Sequence, residues 1–282
     1  MIKGLGTALI TPFQADGSVD FDALARLLDT QLTGKVDYIV VLGTTGEAAT
    51  MTEAEKREVR EYIRKYVDGR LPLVLGVGGN NTAAVCESLK TIDLTGFEAI
   101  LSVCPYYNKP NQEGLFQHFC AVAKASPVPV ILYNVPGRTG VNLLPKTVMR
   151  IYDAVPDKIV GIKEASGNVE QIKHLIDLAK GKLLVISGDD GIACEIMEAG
   201  GAGLISVASN AFAEDFWDIV HKKDKAKQAK YEQMVRLLFK EGNPVGIKAV
   251  LAQKGIIQNY LRLPLVPASK ELQEEIKKEM AK

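Results

Sequence analysis

Ile159-Val160-Gly161-Ile162-Lys163-Glu164-Ala165 is the stretch whose reading decides the fold. Its β-branched, apolar opening reads as a strand closed to water on both faces, as strands of parallel sheets are. A lysine near the end of such a run is costly to bury unless it has a partner or a use. Burial disfavours the ammonium, which leaves a free amine able to attack a carbonyl and form a Schiff base. The competing reading is a strand-end lysine snorkelling to solvent. Alternation puts Gly161, Lys163 and Ala165 on one face, and Val160 and Ile162 on the other. The first set is small beside its lysine and suits a cavity inside a barrel. The second suits packing beneath outer helices.

The same cadence repeats on either side of this strand. Candidate strands fall at 5–11, 37–43, 71–78, 98–104, 129–134, 159–164, 183–187 and 202–208, each followed by a helical pattern. Thr52-Glu53-Ala54-Glu55 is a capping box ahead of a helix to Val67. Asn168, with Gln171 three residues later, opens a helix whose Val169, Ile172, Leu175, Ile176 and Ala179 form one apolar stripe. Asp20 and Asn111 are caps for two more. Eight β–α units joined by right-handed crossovers predict an α/β fold, a closed (β/α)8 TIM barrel. An open doubly wound sheet would carry G-x-G-x-x-G after its first strand, where this chain has Thr11-Pro12-Phe13. The barrel is expected over residues 1–222. Residues 223–282 read as an appended helical region, ending in Leu272, Ile276 and Met280 at four-residue spacing.

At 282 residues and 47% hydrophobic content the chain is large enough for a sizeable core. Lys plus Arg and Asp plus Glu balance at 34 each, so no global field favours nucleic acid or an anionic membrane. Cys86, Cys104, Cys120 and Cys194 are far apart, with no metal-ligand spacing, and read as buried hydrophobes in a reducing compartment. His118, His174 and His221 fall in helical patterns, and no metal constellation is expected. The N-terminus lacks the layout of a signal peptide and of a transmembrane span, so a soluble, cytoplasmic protein is expected.

In a barrel the chemistry lies at the C-terminal ends of the strands. The unusual residues of this chain fall there. Gly43-Thr44-Thr45-Gly46-Glu47 follows the second strand and offers backbone amides and two hydroxyls to an anion the size of a carboxylate. Tyr106-Tyr107-Asn108-Lys109-Pro110 follows the fourth. Tyr133-Asn134-Val135-Pro136-Gly137-Arg138-Thr139-Gly140 ends the fifth, bringing a phenol for proton transfer and a planar fork suited to a carboxylate. Ser187-Gly188-Asp189-Asp190 ends the seventh, and its two carboxylates argue against a phosphorylated substrate. Each motif alone has an ordinary structural explanation. Five strand ends converging on one rim favour a catalytic Lys163.

With Gly-Ile-Lys-Glu-Ala, the Gly-Thr-Thr-Gly-Glu turn and Tyr-Asn-Val-Pro-Gly-Arg-Thr-Gly in this order and spacing, the chain resembles the dihydrodipicolinate synthase family over essentially its whole length. That family belongs to the pyruvate-dependent Schiff-base aldolases. The resemblance implies a lyase of lysine and diaminopimelate biosynthesis, condensing pyruvate with L-aspartate 4-semialdehyde to 4-hydroxy-tetrahydrodipicolinate. It implies that Lys163 forms the imine, with no cofactor, and that Tyr133 shuttles protons with Thr44 and with Tyr107 donated by a neighbouring subunit. It implies that Thr45 holds the pyruvate carboxylate and Arg138 that of the semialdehyde, while Gly188 and Ile205 line the pyruvate site with their backbones. The implied assembly is a homotetramer, a dimer of dimers.

Asn243-Pro244-Val245-Gly246 departs from the family by carrying Gly246 where a second proline is usual, which is expected to loosen the turn. A sugar-acid aldolase such as N-acetylneuraminate lyase is the nearest rival, and Arg138 discriminates against it by clamping a second carboxylate. A catalytically silent keto-acid sensor would have lost Lys163 or Tyr133. Where lysine-sensitive relatives carry a glutamate and histidines to bind lysine, this chain has Ala84, Glu53 and Lys56, beside retained Asn80 and Tyr106. Weak or absent feedback by lysine is therefore expected.

Overall fold

Eight parallel strands follow one another in sequence order and close into a barrel in this computed structural model, which describes residues 2–282. They are β1 (Gly4–Ala8), β2 (Tyr38–Val41), β3 (Leu73–Gly76), β4 (Ala99–Val103), β5 (Val130–Asn134), β6 (Ile159–Glu164), β7 (Leu184–Ser187) and β8 (Gly203–Ser206). Interleaved are α1 (Phe21–Thr33), α2 (Glu53–Val67), α3 (Thr82–Thr91), α4 (Gln112–Ala125), the short α5 (Pro136–Thr139), α6 (Pro145–Ala154), α7 (Val169–Ala179), α8 (Ala193–Glu198) and α9 (Ser209–Lys222). Three helices complete the chain: α10 (Lys225–Lys240), α11 (Val245–Gln253) and α12 (Lys270–Met280). This is the TIM barrel with a helical C-terminal region that the sequence predicts.

The helices start where side-chain acceptors satisfy their first amides. Asp20, Asn111 and Asn168 accept from Ala23, Gly114 and Gln171, and Thr52 with Glu55 forms a complete capping box. The stripe of α7 buries Ile172, Leu175 and Ala179 as its period requires, and α12 buries Leu272 and Ile276.

The chain divides into two compact units. The first is Pro72–Ile205 with the N-terminal residues up to Lys3. Its central feature is the register of β5 and β6, which sets Tyr133 opposite Lys163 and Asn134 opposite Glu164. On the other side of β6, Lys163 pairs with Ile186 and Glu164 with Ser187 of β7.

The second unit is Gly4–Leu71 with Ser206–Lys282. Here β1 pairs with β2, setting Gly6 opposite Tyr38, and a buried polar cluster ties the start of α9 to β1. The Thr7 hydroxyl contacts Gln31 Oε1 at 2.7 Å and Ser209 Oγ at 2.8 Å. The amide of Asn210 donates to Ala8 O, and its Oδ1 accepts from Ile10 N. Gly246 lies in α11, and a Cβ there would stand 2.5 Å from Leu238 O and 2.6 Å from Leu238 Cα. This overturns the expectation of a loosened turn: the missing side chain lets α11 approach the α10 backbone closely.

Candidate active site

Lys163 is the penultimate residue of β6 and is 6% exposed, as is Tyr133 at the paired position of β5. Parallel register sends both side chains to the same face. The Lys163 amine lies over the Tyr133 ring, 4.5 Å from its centroid. The snorkelling alternative is excluded, because the side chain is buried. Gly188, just past β7, explains how the amine keeps its space. A Cβ at Gly188 would stand 2.9 Å from Lys163 Cε and 2.6 Å from Ala165 Cβ. Only glycine leaves the lysine stem free there. Ile205 of β8 is buried at 1% exposure.

The opposite face of the same strands holds a group that the sequence reading missed. Glu164 is fully buried on the helix-facing side of β6. Asn134 Nδ2 donates to both its oxygens, at 3.1 and 3.0 Å, Ser166 N donates at 2.9 Å, and Gln171 Nε2 donates at 3.3 Å. Asn142 accepts from Asn134 and Gln171 and donates to Gln171 Oε1, and Leu143 N donates to Asn134 Oδ1. One carboxylate thus ties the end of β5, the segment after α5 and the first turn of α7 to β6. Burial pushes its carboxyl above the ordinary range, against these hydrogen bonds, which pull it down.

Arg138 sits in α5, immediately after β5, and its residue is exposed to solvent. The short helix stops at Gly140, whose φ of 75° is a left-handed terminus and whose Cβ position lies 3.0 Å from Lys109 Cε. Tyr107 is 89% exposed and its φ is also 75°, a conformation unusual for a non-glycine residue. Its neighbours are pinned, since Asn80 Nδ2 donates to Tyr106 O and Asn108 Nδ2 to Asn80 O. The first unit therefore brings Lys163, Tyr133 and Gly188 into contact and presents Arg138 and Tyr107 to solvent.

In the second unit, Thr44-Thr45-Gly46 forms a single 3-10 turn after β2, and Glu47 closes it with a φ of 54°. Thr44 is half-buried and Thr45 is buried. Thr11 Oγ1 donates to Gly46 O at 2.8 Å, and Asn243 Nδ2 donates to Thr45 Oγ1 at 2.9 Å. Beneath the turn, Glu47 forms an ion pair with Lys248 and accepts from Arg262 N at 3.2 Å. Burial holds the Lys248 amine down to about 8, offset by the adjacent Glu47 carboxylate. The Lys248 and Arg262 cations lie over the ring of buried Phe13, at 4.2 and 4.5 Å from its centroid. Arg262 also donates to Gly17 O, Thr50 O and Glu55.

Glu47, Asn243, Lys248 and Arg262 are functional candidates the sequence reading passed over. Glu47 was visible as the last residue of the Gly-Thr-Thr-Gly-Glu turn. Its partners lie two hundred residues downstream and leave no local periodicity to find. Among the described residues, no group of three or more His, Cys, Asp or Glu is arranged to hold a metal ion, and no helix is long and apolar enough to cross a membrane. The four cysteines are free thiols.

The dihydrodipicolinate synthetase family model matches residues 1–282. The chain is 49% identical over 273 residues to a 4-hydroxy-tetrahydrodipicolinate synthase of Parabacteroides distasonis, covering 94% of this chain and 92% of that one. It superposes on dihydrodipicolinate synthase from Thermotoga maritima with a TM-score of 0.95 at 38% identity, covering 100% of this chain and 98% of that one. The chloride-inhibited enzyme of Acinetobacter baumannii, solved in complex with pyruvate, gives a TM-score of 0.95 at 39% identity, with 100% and 98% coverage.

Proposed function

We propose, from the premise that this chain belongs to the dihydrodipicolinate synthetase family, that it runs the family's reaction through an imine on Lys163. The reaction condenses pyruvate with L-aspartate 4-semialdehyde to 4-hydroxy-tetrahydrodipicolinate, a lyase step of lysine and diaminopimelate biosynthesis. The observation that carries the assignment of Lys163 is its burial against the Tyr133 ring, in space that Gly188 keeps open.

The amine attacks the pyruvate carbonyl carbon, and a proton delivered by the Tyr133 phenol lets the carbinolamine leave as imine and water. The imine draws electrons from the pyruvate methyl, which loses a proton and becomes an enamine. The enamine carbon attacks the semialdehyde carbonyl, whose oxygen takes up a proton. The semialdehyde's own amine then attacks the imine carbon, closing the ring and returning Lys163. One water leaves over the cycle, and no cofactor takes part.

In this reading Thr44 relays protons with Tyr133, Thr45 holds the pyruvate carboxylate, Arg138 holds that of the semialdehyde, and Gly188 and Ile205 line the pyruvate site. The assembly is a homotetramer in the same reading, and the exposed, conformationally constrained Tyr107 supports a contact in which its ring is covered by a second copy and serves that copy's site. Feedback by lysine is weak or absent, since Ala84 offers no charge to a lysine ligand and Lys56 already engages Glu53 at 2.8 Å.

Turnover of pyruvate with the semialdehyde, compared with sugar-derived aldehydes, tests the acceptor. In Arg138→Ala the lost charge-assisted contact, about 1.5–3 kcal/mol, raises the semialdehyde KM roughly 10- to 150-fold and leaves pyruvate KM little changed. Equal weakening of both substrates would overturn the division of the two carboxylates between Thr45 and Arg138.

A further inference from the structure

We propose that Asn243 is a positioning residue for the 2-oxo acid, setting the Thr45 hydroxyl as an obligate hydrogen-bond donor to a carboxylate. The inference rests on the reading that Thr45 holds pyruvate. The supporting geometry lies wholly within the second unit.

A threonine hydroxyl has one hydrogen to give and lone pairs to receive with. The Asn243 amide nitrogen is a donor only, and it points at Thr45 Oγ1 from 2.9 Å in a buried setting, with Asn243 7% and Thr45 2% exposed. Thr45 Oγ1 must accept in this contact. Its own hydrogen is then turned away from Asn243 and is available to a ligand. A hydroxyl so committed favours an anionic oxygen over any group that needs to donate. Its bond to an ionised carboxylate is charge-assisted and therefore stronger than one to the neutral carbonyl of an ester or amide.

The turn around it is built to keep that orientation. Thr11 pins the Gly46 carbonyl, and Glu47 is gripped from below by Lys248 and the Arg262 amide. Asn243, Lys248 and Arg262 all belong to the helical region after residue 222, which had no assigned role in the chemistry. That region thus acts as the backing of the Thr44-Thr45 turn.

Asn243→Asp tests this, because aspartate keeps the shape and reverses the hydrogen bond. A carboxylate can only accept, so it recruits the Thr45 hydrogen for itself and adds a negative charge behind the turn. Pyruvate KM should rise about tenfold or more, with kcat and the semialdehyde KM changed far less. Asn243→Ala, which removes the donor without reversing it, should fall between wild type and Asn243→Asp. In a Thr45→Val background, Asn243→Asp should lose at least half, on a logarithmic scale, of its effect on pyruvate KM. Equal effects of the aspartate and alanine variants, an unchanged pyruvate KM, or a full effect persisting without the Thr45 hydroxyl would each overturn the proposal. Borohydride trapping of the pyruvate adduct in the wild-type protein is run alongside. Absence of any adduct there marks failure of the Schiff-base reading itself, whereas a normal wild-type adduct with unaffected variants marks failure of Asn243 alone.

Discussion

The Lys163 amine lies on the face of the Tyr133 ring, 4.5 Å from its centroid, because the two residues are register partners on adjacent parallel strands. The relationship is fixed by backbone hydrogen bonding rather than by side-chain choice. It places a phenol next to any carbon that becomes bonded to Nζ. In the proposed reaction the ring face and the hydroxyl have separable duties: the first packs the amine, the second moves protons.

Tyr133→Phe separates them. The ring stays and the O–H is lost, so the barrel should melt within a few degrees of wild type while kcat falls by about 10²–10⁴. Stopped-flow or single-turnover measurement should place the loss in imine formation. A variant with near-normal kcat would show that Tyr133 only packs the lysine.

Gly188→Ala probes the space around the amine. The added methyl would stand 2.9 Å from Lys163 Cε and 2.6 Å from Ala165 Cβ, so the lysine stem must shift. A displacement of this size costs roughly 10²-fold in reactions that depend on alignment. The rate of pyruvate adduct formation is the readout, with circular dichroism verifying the fold. Unchanged adduct formation would mean that Lys163 reacts from another rotamer.

Much of this arrangement is legible in the sequence. The eight strands, the caps at Asp20, Thr52, Asn111 and Asn168, and the placement of Lys163 all follow from periods and spacings within a few residues. Glu164 was in plain view, one residue from the lysine, yet its role was not. Its donors Asn134 and Gln171, and Asn142 that braces them both, come together only after β5, β6 and α7 are assembled. The same holds for Asn243, whose bond to Thr45 depends on where the C-terminal helices return. Gly246 was misjudged for a related reason: a backbone contact with Leu238 has no signature in composition.

Glu164 gives a stability prediction with a definite sign in pH. Its carboxyl is raised in the folded state chiefly by burial, so the folded protein favours the protonated form. This group's contribution is fully present below its unfolded pKa and is lost as pH rises through the raised folded value. Glu164→Gln cannot ionise. Its melting temperature, compared with wild type, should therefore improve as pH rises through and above the ordinary carboxylate range. Glu164→Ala strands the donors of Asn134, Ser166 and Gln171 and should cost about 3 kcal/mol below the ordinary carboxylate range, a cost that shrinks as pH rises and the wild-type carboxyl ionises. A gap between the glutamine variant and wild type that is flat in pH would contradict the shifted carboxyl.

The most direct test of the account is the site of the covalent intermediate. Incubation with pyruvate and borohydride, followed by peptide mass spectrometry, should find a reduced pyruvate adduct on Lys163 and on no other lysine. Lys163→Ala should remain folded, form no adduct and show no turnover. An adduct on a different residue, or full turnover with Lys163 removed, would contradict the mechanism.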